Sequence, residues 1–412
     1  MKNNKVHKKY FMLNCTMKNR FVLVLALIIG LTTSCKKDEG DAPVPSTTPG
    51  YRTTKIDYST LTATTSYRTA FVDANGDSTV NRNDGRVRLR MFRALATYIS
   101  SSVTAGTAID EMKLNNMFKN SGSPFDAPYA DLNGLDMSIK EATAFSKTNQ
   151  SSVHSYLELA FGKMAYISTQ ATQTAAKGTA GKIGTYLVDA NGVEYAQIIQ
   201  KTFIGSYHLD YIGNVLLNTG LDVDNHQLVT GKKYTQLEHN WDEAYGLLSL
   251  NDVYGSKEVQ ADATVTPAIK ASSGELYLGS YVWEYNKTGY VKLHAAFLKG
   301  RAAIHNNDMS EVRAQATIIR GILETAIGGA ANGYMGKASA AAATDASRIH
   351  AFGEGNGFVY STRFCTLTGA NDAYSEDLID DLFTPTSLTF YDITAAQFTT
   401  VATKLRTTFG LL

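Results

Sequence analysis

The sequence is poor in cysteine, tryptophan, proline and charge. Its 412 residues include three Cys, two Trp and seven Pro, and 19% are Asp, Glu, Lys or Arg, which leaves a net charge of +1. Three cysteines cannot form a disulfide framework, and a balanced charge offers no basic surface for the phosphates of a nucleic acid. We therefore expect no nucleic-acid partner. Because 44% of the residues are hydrophobic, the chain has enough apolar surface to fold around one or two cores.

Several common catalytic motifs are missing as well. The sequence has no Walker-type glycine loop, no Gly-x-Ser-x-Gly and no His-Glu-x-x-His, and Cys365 has no helper motif beside it. The familiar nucleotide and hydrolase chemistries therefore lack support. Whether the protein is an enzyme stays open, with a non-catalytic role favoured.

Residues 1–34 have the layout of a secretory signal. A basic stretch that begins at Met17 is followed by the apolar run Phe21–Leu31 and then by small residues and Cys35. This run is too short to span a bilayer, which needs about twenty residues. The segment Leu31–Cys35 resembles a bacterial lipobox, in which the cysteine thiol receives diacylglycerol and becomes the new N-terminus. We predict that residues 1–34 are removed and that Cys35 is lipidated, with Met17 a better start than Met1.

Removal of this segment would change the charge of the protein. Residues 1–34 contain six basic residues and no acidic ones, so without them the net charge falls from +1 to about −5. The mature protein would be acidic, with Cys365 as its free thiol.

Residues 35–54 are predicted to form an extended tether. Three of the seven prolines lie between residues 43 and 49, and such a composition is typical of a stiff linker. The cluster Lys36–Asp41 resembles the export signal that sends Bacteroidota-type lipoproteins to the outer face of the outer membrane. The alternative is a solvated start to a linker. We expect a surface-exposed lipoprotein of the outer membrane that contacts the membrane through its lipid.

Beyond residue 55, apolar residues recur every three or four positions. Val87, Met91, Leu95 and Ile99 mark the first helical stripe. The same period marks residues 108–118, 151–172, 193–217, 234–249, 289–305, 309–332 and 345–363. We predict that residues 55–412 form an all-α domain, a multi-helix bundle of about eight to ten helices or two fused bundles, with few or no short strands.

Local signals add detail to this prediction. Tyr186–Val188 and Leu388–Tyr391 are the two short strand candidates. Asp308 and Asp392 are predicted to cap the N-termini of the helices that follow them. The alanine-rich residues 338–346 form either a connection or a closely packed helix.

The first candidate site is the segment Glu238–Glu243. In a helix, His239 and Glu243 share one face, while Glu238 and Asp242 share the adjacent one. An imidazole and a carboxylate at this spacing can bind one metal ion. The alternative is a surface helix with solvated charges and Trp241 packed inward.

His350 and Glu354 repeat the same spacing in a second predicted helix that also contains three glycines between residues 353 and 357. If the two helices face each other, His239, Glu243, His350 and Glu354 form a set suited to a divalent transition metal such as zinc, iron or manganese. If they do not, each pair is a helix contact worth about 0.2–0.5 kcal/mol. The glycines indicate close packing or a local break.

Two further groups could be a pocket or an ion-pair network. Glu194, Gln197 and Lys201 share one stripe of a largely apolar helix. Lys299 and Arg301 lie in another apolar helix, where buried cations need anionic partners. In the ion-pair network hypothesis, Lys299 and Arg301 neutralise the acidic side chains between residues 238 and 243.

Residues 73–84 resemble a calcium-binding loop. Oxygen-bearing side chains stand at loop positions 1, 3, 5, 7, 9 and 12. They belong to Asp73, Asn75, Asp77, Thr79, Asn81 and Asp84. Position 6, where the sharp turn favours glycine, is Ser78. Calcium binding is one hypothesis, and a polar surface loop is the other.

The sequence from about residue 55 onward resembles a family of Bacteroidota lipoproteins of uncharacterised function. The likeness rests on the Glu-His-x-Trp-Asp-Glu-Ala signature at residues 238–244, together with residues 194–197, 296–304 and 350–354. A weaker similarity is to the imelysin-like proteins, helical envelope proteins linked to iron uptake with a His-x-x-Glu site after a glycine. That similarity implies that His239 and Glu243 bind a metal, although their spacing is one residue longer and no glycine precedes the histidine.

Three functional hypotheses follow. The first is a surface-tethered, non-catalytic protein that binds a metal or a small metal-bearing ligand for uptake. The second is a metal-dependent hydrolase of peptides or glycans, with Glu238 or Asp242 as its general base. The third treats the charged helices as a structural ion-pair network and places the function elsewhere.

Overall fold

The computed structural model describes residues 50–62, 65–250, 276–340, 345–385 and 387–411. The predicted signal, Cys35 and residues 36–49 of the tether lie outside these ranges. The described residues belong to one compact unit, Pro49–Leu412. Within these ranges, no helix combines the length and the apolar composition that crossing a membrane requires.

The described ranges contain twelve α-helices and a single two-stranded sheet, which confirms the all-α prediction. The helices are α1 (Asn83–Ala105), α2 (Glu111–Lys119), α3 (Ile139–Ala142), α4 (Gln150–Ser168), α5 (Tyr195–Phe203), α6 (Gln236–Leu247), α7 (Leu278–Tyr285), α8 (Lys287–His305), α9 (Met309–Ser339), α10 (Asp345–Ser361), α11 (Asp372–Leu382) and α12 (Ala395–Phe409). A π-helix, Ile204–Leu216, continues α5. The strands β1 (Gly181–Ile183) and β2 (Tyr186–Val188) pair antiparallel, with Lys182 opposite Leu187.

Three helices were not predicted from the sequence. They are α3, α7 and α11, which have 4, 8 and 11 residues. The four residues of α3 make a single turn, which is too short for an apolar period.

Of the predicted helix caps and strands, one of each is confirmed. The Asp308 carboxylate accepts the N–H of Glu311 and caps α9, as predicted. The prediction for Asp392 is wrong, because Thr394 caps α12 and forms a capping box with Gln397. Asp392 instead accepts the N–H of Thr389 at 2.9 Å. Tyr186–Val188 is a strand, but residues 388–391 are not.

Helix α9 packs against α7, α8, α10 and α12. Small residues allow these close approaches. A Cβ added at Gly328 would lie 2.2 Å from Phe409 of α12, and one added at Gly333 would lie 2.4 Å from Tyr285 of α7. Residues 338 and 339 still belong to α9, and α10 begins at Asp345.

His208 lies on the π-helix in the core. Its side chain is fully buried, and neither ring nitrogen has a hydrogen-bond partner among the described residues. The rings of Phe92, Tyr207 and Tyr277 surround it, with centroids 5.3–5.7 Å away. Burial lowers the pKa of His208 to about 3.

We expect His208→Phe to make the protein more resistant to acid. The pKa of histidine is 6.5 in the unfolded chain and about 3 in the folded protein. The neutral imidazole therefore contributes to stability above pH 6.5, and this contribution is lost as the pH falls from 6.5 towards 3. Phenylalanine has no proton to gain. Urea unfolding at pH 7 and pH 5 should show a smaller loss in the variant, and equal losses would contradict the expectation.

Candidate functional site

Helix α6 places the Glu238–Glu243 segment in the core rather than on the surface. The Thr235 hydroxyl accepts the N–H of Glu238, and the Glu238 carboxylate accepts the N–H of Thr235. This capping box fixes the first turn. Glu238 and Asp242 are fully buried, so each carboxylate needs a charged or hydrogen-bonding partner.

Arg301 of α8, also fully buried, is that partner. Its Nη1 donates to Glu238 Oε1 at 2.8 Å, and its Nε donates to Asp242 Oδ1 at 3.1 Å. Its Nη2 donates to Thr79 Oγ1 at 3.2 Å. A second guanidinium, that of Arg52, donates to Glu238 Oε2 at 2.8 Å. We call Arg52, Thr79, Glu238, Asp242 and Arg301 the arginine cluster.

The carboxylates of Glu238 and Asp242 differ in pKa, and further donors complete the hydrogen bonding of Asp242. Burial would raise the pKa of Glu238, but Arg301 and Arg52 outweigh it and lower the pKa to about 2. Burial keeps the pKa of Asp242 above its usual value despite Arg301. Tyr67 and the backbone N–H of Asn81 donate to Asp242 at 2.7 and 2.9 Å. This arrangement agrees with the ion-pair network hypothesis and provides no free general base.

Lys299 does not join this network, and that part of the prediction is wrong. Its side chain is 40% exposed, and its Nζ lies 3.0 Å from Glu311. Residues two apart on a helix point in nearly opposite directions, about 200° around the axis. Lys299 therefore cannot face the acids that Arg301 contacts.

His239 and Glu243 join α6 to α1. The His239 Nε2 lies 3.1 Å from Asp84 Oδ2, and Glu243 accepts from Arg88 Nε at 2.8 Å. Burial would lower the pKa of His239, but its hydrogen bond to Asp84 and the negative charges of Glu243 and Asp84 outweigh this and raise it. Both predicted ligands thus have partners on α1.

Trp241 is packed inward against α8. It is fully buried, and its Nε1 donates to the carbonyl oxygen of Phe297 at 3.0 Å. The two rings meet edge to face with centroids 5.8 Å apart. Trp241 therefore belongs to the core.

The first half of the predicted calcium loop is a tight turn held by Asp73. Its Oδ1 accepts the N–H groups of Asn75 and Asp77, both at 2.9 Å. Lys233 Nζ lies 3.3 Å from Asp73 and also pairs with Asp77. An ammonium group thus lies beside these two carboxylates.

The second half of the loop faces α6 and α8. Thr79 is buried and bonded to Arg301, and Asp84 pairs with His239. The backbone N–H of Asn81 donates to Asp242, while its side-chain amide donates to Tyr234. Asp73 and Asp77 thus share Lys233, whereas Thr79, Asn81 and Asp84 each contact a different side chain.

His350 and Glu354 of α10 meet helix α5. His350 Nδ1 lies 2.7 Å from Glu194 Oε2, and His350 Nε2 lies 3.5 Å from Glu354 Oε2. Lys201 Nζ lies 3.0 Å from Glu354 Oε1. We call Glu194, Lys201, His350 and Glu354 the histidine cluster. It unites residues from two of the predicted groups, His350 with Glu354 and Glu194 with Lys201.

The cluster reaches solvent at the histidine. The side chain of His350 is 24% exposed, whereas those of Lys201 and Glu194 are 4% and 6% exposed. The ring of Tyr186 on β2 stacks on the imidazole, with centroids 4.0 Å apart and planes 7° from parallel. The imidazole is thus held on both a ring face and a nitrogen.

The surroundings shift the pKa values of three side chains in the histidine cluster. Burial would lower the pKa of His350, but the hydrogen bond to Glu194 and the charges of Glu194 and Glu354 outweigh it and raise the pKa. Burial raises the pKa of Glu194 and lowers that of Lys201. Adjoining groups with shifted pKa values are a recognised feature of functional sites.

Glycines bring α10 close enough for this geometry. A Cβ at Gly357 would lie 2.6 Å from Lys201 Cβ, and one at Gly355 would lie 2.3 Å from Met335 of α9. Gly353 faces Glu194 and Gln197 at ordinary contact distance. The close packing indicated by these glycines is confirmed, and α10 lies between α5 and α9.

The structure does not bring the two His-x-x-x-Glu pairs to one site. The first pair contacts α1, the second contacts α5, and among the described residues they have no partner in common. In the same ranges, no three His, Cys, Asp or Glu side chains are arranged to hold a metal ion. At any one point of the described chain, fewer than three such ligands are therefore available to a metal.

Two arginines that pair with the acids of α6, Arg88 and Arg52, were not predicted from the sequence. Arg88 lies four residues before Phe92 and seven before Leu95, so its place on the buried face of α1 was available from the helical period. Arg52 had no comparable signal, since its partner Glu238 lies 186 residues away.

Comparison with known proteins gives one match. Residues 67–412 match the model of a family described as a domain of unknown function, DUF4856. Neither the curated proteins nor the solved structures compared with the chain include a match. The matched segment contains both clusters except for Arg52. The chain belongs to the DUF4856 family.

Proposed function

We propose that the protein is a surface-exposed, lipid-anchored protein of the outer membrane that binds a metal-bearing ligand at the histidine cluster for uptake. It is a binding protein rather than an enzyme. The observation that carries the proposal is the position of His350, half-buried between two carboxylates and open to solvent on one side.

The ligand chemistry follows from the two nitrogens of His350. Glu194 accepts from Nδ1, so in the neutral form of His350 the lone pair is on Nε2, which lies 3.5 Å from Glu354 Oε2. A carboxylate behind a histidine orients that histidine in many metal sites. Two protein ligands leave most positions of a transition metal open. A metal complex that supplies the other ligands therefore fits better than a bare ion.

The location rests on the N-terminal sequence. The signal layout, the lipobox-like segment ending at Cys35 and the Lys36–Asp41 cluster support export, lipidation and surface display. The similarity to imelysin-like proteins supports a role in metal uptake. Lipidation is testable by mass spectrometry of the membrane fraction, where Cys35→Ser should abolish the lipid adduct.

We expect the wild-type protein to bind a nickel–nitrilotriacetate complex at the histidine cluster. This chelate occupies part of the metal's coordination shell and leaves a pair of adjacent positions for His350 and Glu354. His350→Ala/Glu354→Ala should bind it at least about tenfold more weakly in calorimetry. Binding of equal strength would contradict the proposal.

Two variants sharpen the test. His239→Ala removes the histidine of the other His-x-x-x-Glu pair and should leave binding unchanged, because His239 is paired with Asp84. Lys201→Met should strengthen binding, because the ammonium that competes for Glu354 is removed. Weaker binding by Lys201→Met would contradict a site at Glu354.

A further inference from the structure

Residues 50–61 precede the segment that matches the family model, which begins at Tyr67. The predicted tether extends to residue 54. In the structure, residues 50–61 contact the helical body. The backbone N–H of Tyr51 donates to the carbonyl of Asn225 at 2.8 Å.

Arg52 makes the strongest of these contacts. Its Nε and Nη2 donate to the two carboxylate oxygens of Glu238 at 3.1 and 2.8 Å. Its Nη2 also donates to the carbonyl of Lys233 at 2.6 Å. The side chain of Arg52 is 9% exposed and that of Glu238 is fully buried. Paired donation to a buried carboxylate is among the stronger protein interactions.

The residues after Arg52 bind the junction between α8 and α9. The Asn306 side chain bonds both the N–H and the carbonyl of Ile56, each at 2.8 Å. Thr54 lies 3.1 Å from His305 Nε2. Tyr58 donates to Asp308, the N-cap of α9, at 3.0 Å. These bonds follow one another along the chain.

We infer that residues 50–61 form a strap at the start of the folded unit. The ion pair between Arg52 and the buried Glu238, which we call the latch, holds this strap in place. The strap closes over the α8–α9 junction, and its release uncovers Glu238. Along the described chain, the latch at Arg52 comes before every α-helix. The folded unit therefore includes the strap, which precedes the first residue of the family match.

Hydrogen exchange of the full chain tests this inference. In the wild-type protein, the amides of Tyr51 and Ile56 should be protected. In Arg52→Ala, they should exchange at least about tenfold faster, while α9 and α10 keep their wild-type rates. Arg68→Ala, which replaces an exposed arginine seven residues after the strap in the sequence, should leave both regions unchanged.

Three results would overturn the latch. They are an unprotected strap in the wild-type protein, equal strap exchange in the wild-type protein and Arg52→Ala, and acceleration of the same size in the strap and in the helices. If Arg52→Ala does not fold, Arg52→Lys replaces it. Lysine keeps the charge without paired donation, so strap exchange should still be faster than in the wild-type protein, and an unchanged rate would overturn the proposal.

Discussion

Arg301→Met is expected to lower the free energy of unfolding by about 3–5 kcal/mol. Arg301 is the common partner of Glu238 and Asp242, and all three side chains are fully buried. Without the guanidinium, Asp242 keeps only uncharged donors and Glu238 keeps only Arg52 as a cation. Uncompensated charge in a core is far more costly than a lost surface pair. Urea unfolding at pH 7 measures the loss.

A surface pair provides the matched control. Arg313 pairs with Asp222 at 2.6 Å, but the two side chains are 46% and 66% exposed. Arg313→Met should therefore cost less than about 1 kcal/mol. Adding Asp242→Asn to Arg301→Met should recover part of the loss, because one stranded charge disappears. If the double variant is no more stable than Arg301→Met, uncompensated charge is not the cause.

Gly300→Ala is expected to destabilise the protein by about 1–3 kcal/mol. A Cβ at this position would lie 2.0 Å from Cζ2 and 2.4 Å from Cη2 of Trp241. Trp241 is fully buried and its Nε1 is bonded to Phe297, so the ring cannot move aside without losing that bond. Chemical denaturation followed by tryptophan fluorescence would show the loss.

Another helical glycine gives the opposite sign. Gly321 of α9 has nothing within 4 Å of the position of an added Cβ. Gly321→Ala should therefore stabilise the protein by about 0.5–1 kcal/mol, because alanine loses less backbone entropy in a helix.

A second variant tests the cause of the loss in Gly300→Ala. In a Trp241→Phe background, the smaller ring should reduce the cost of Gly300→Ala. An undiminished cost would exclude the contact with Trp241 as its cause.

The two predicted metal pairs show the limit of spacing as evidence. Both place a histidine and a glutamate four residues apart on one helix. His239 and Glu243 are used to join α6 to α1. His350 and Glu354 lie beside Glu194 and Lys201, whose positions come from another helix. Spacing along a helix predicts a shared face, but the neighbouring helix decides what that face contacts.

The glycines of α10 were more informative. Three of them between residues 353 and 357 indicated close packing, and the structure confirms it at Gly355 and Gly357. A missing side chain has a direct geometric meaning, since it allows a neighbour to approach. A charged residue has no such single meaning, because its partner can lie anywhere in the chain.

The sequence by itself determined the all-α class, most of the helix positions and the need of the buried Arg301 for acidic partners. These properties depend on apolar period and composition, which are local along the chain. Only the tertiary structure decided that Lys299 faces Glu311, that Arg52 reaches Glu238 and that Glu194 lies against His350. Such contacts join residues up to 186 positions apart, and they follow from the packing of helices, which local periodicity does not specify.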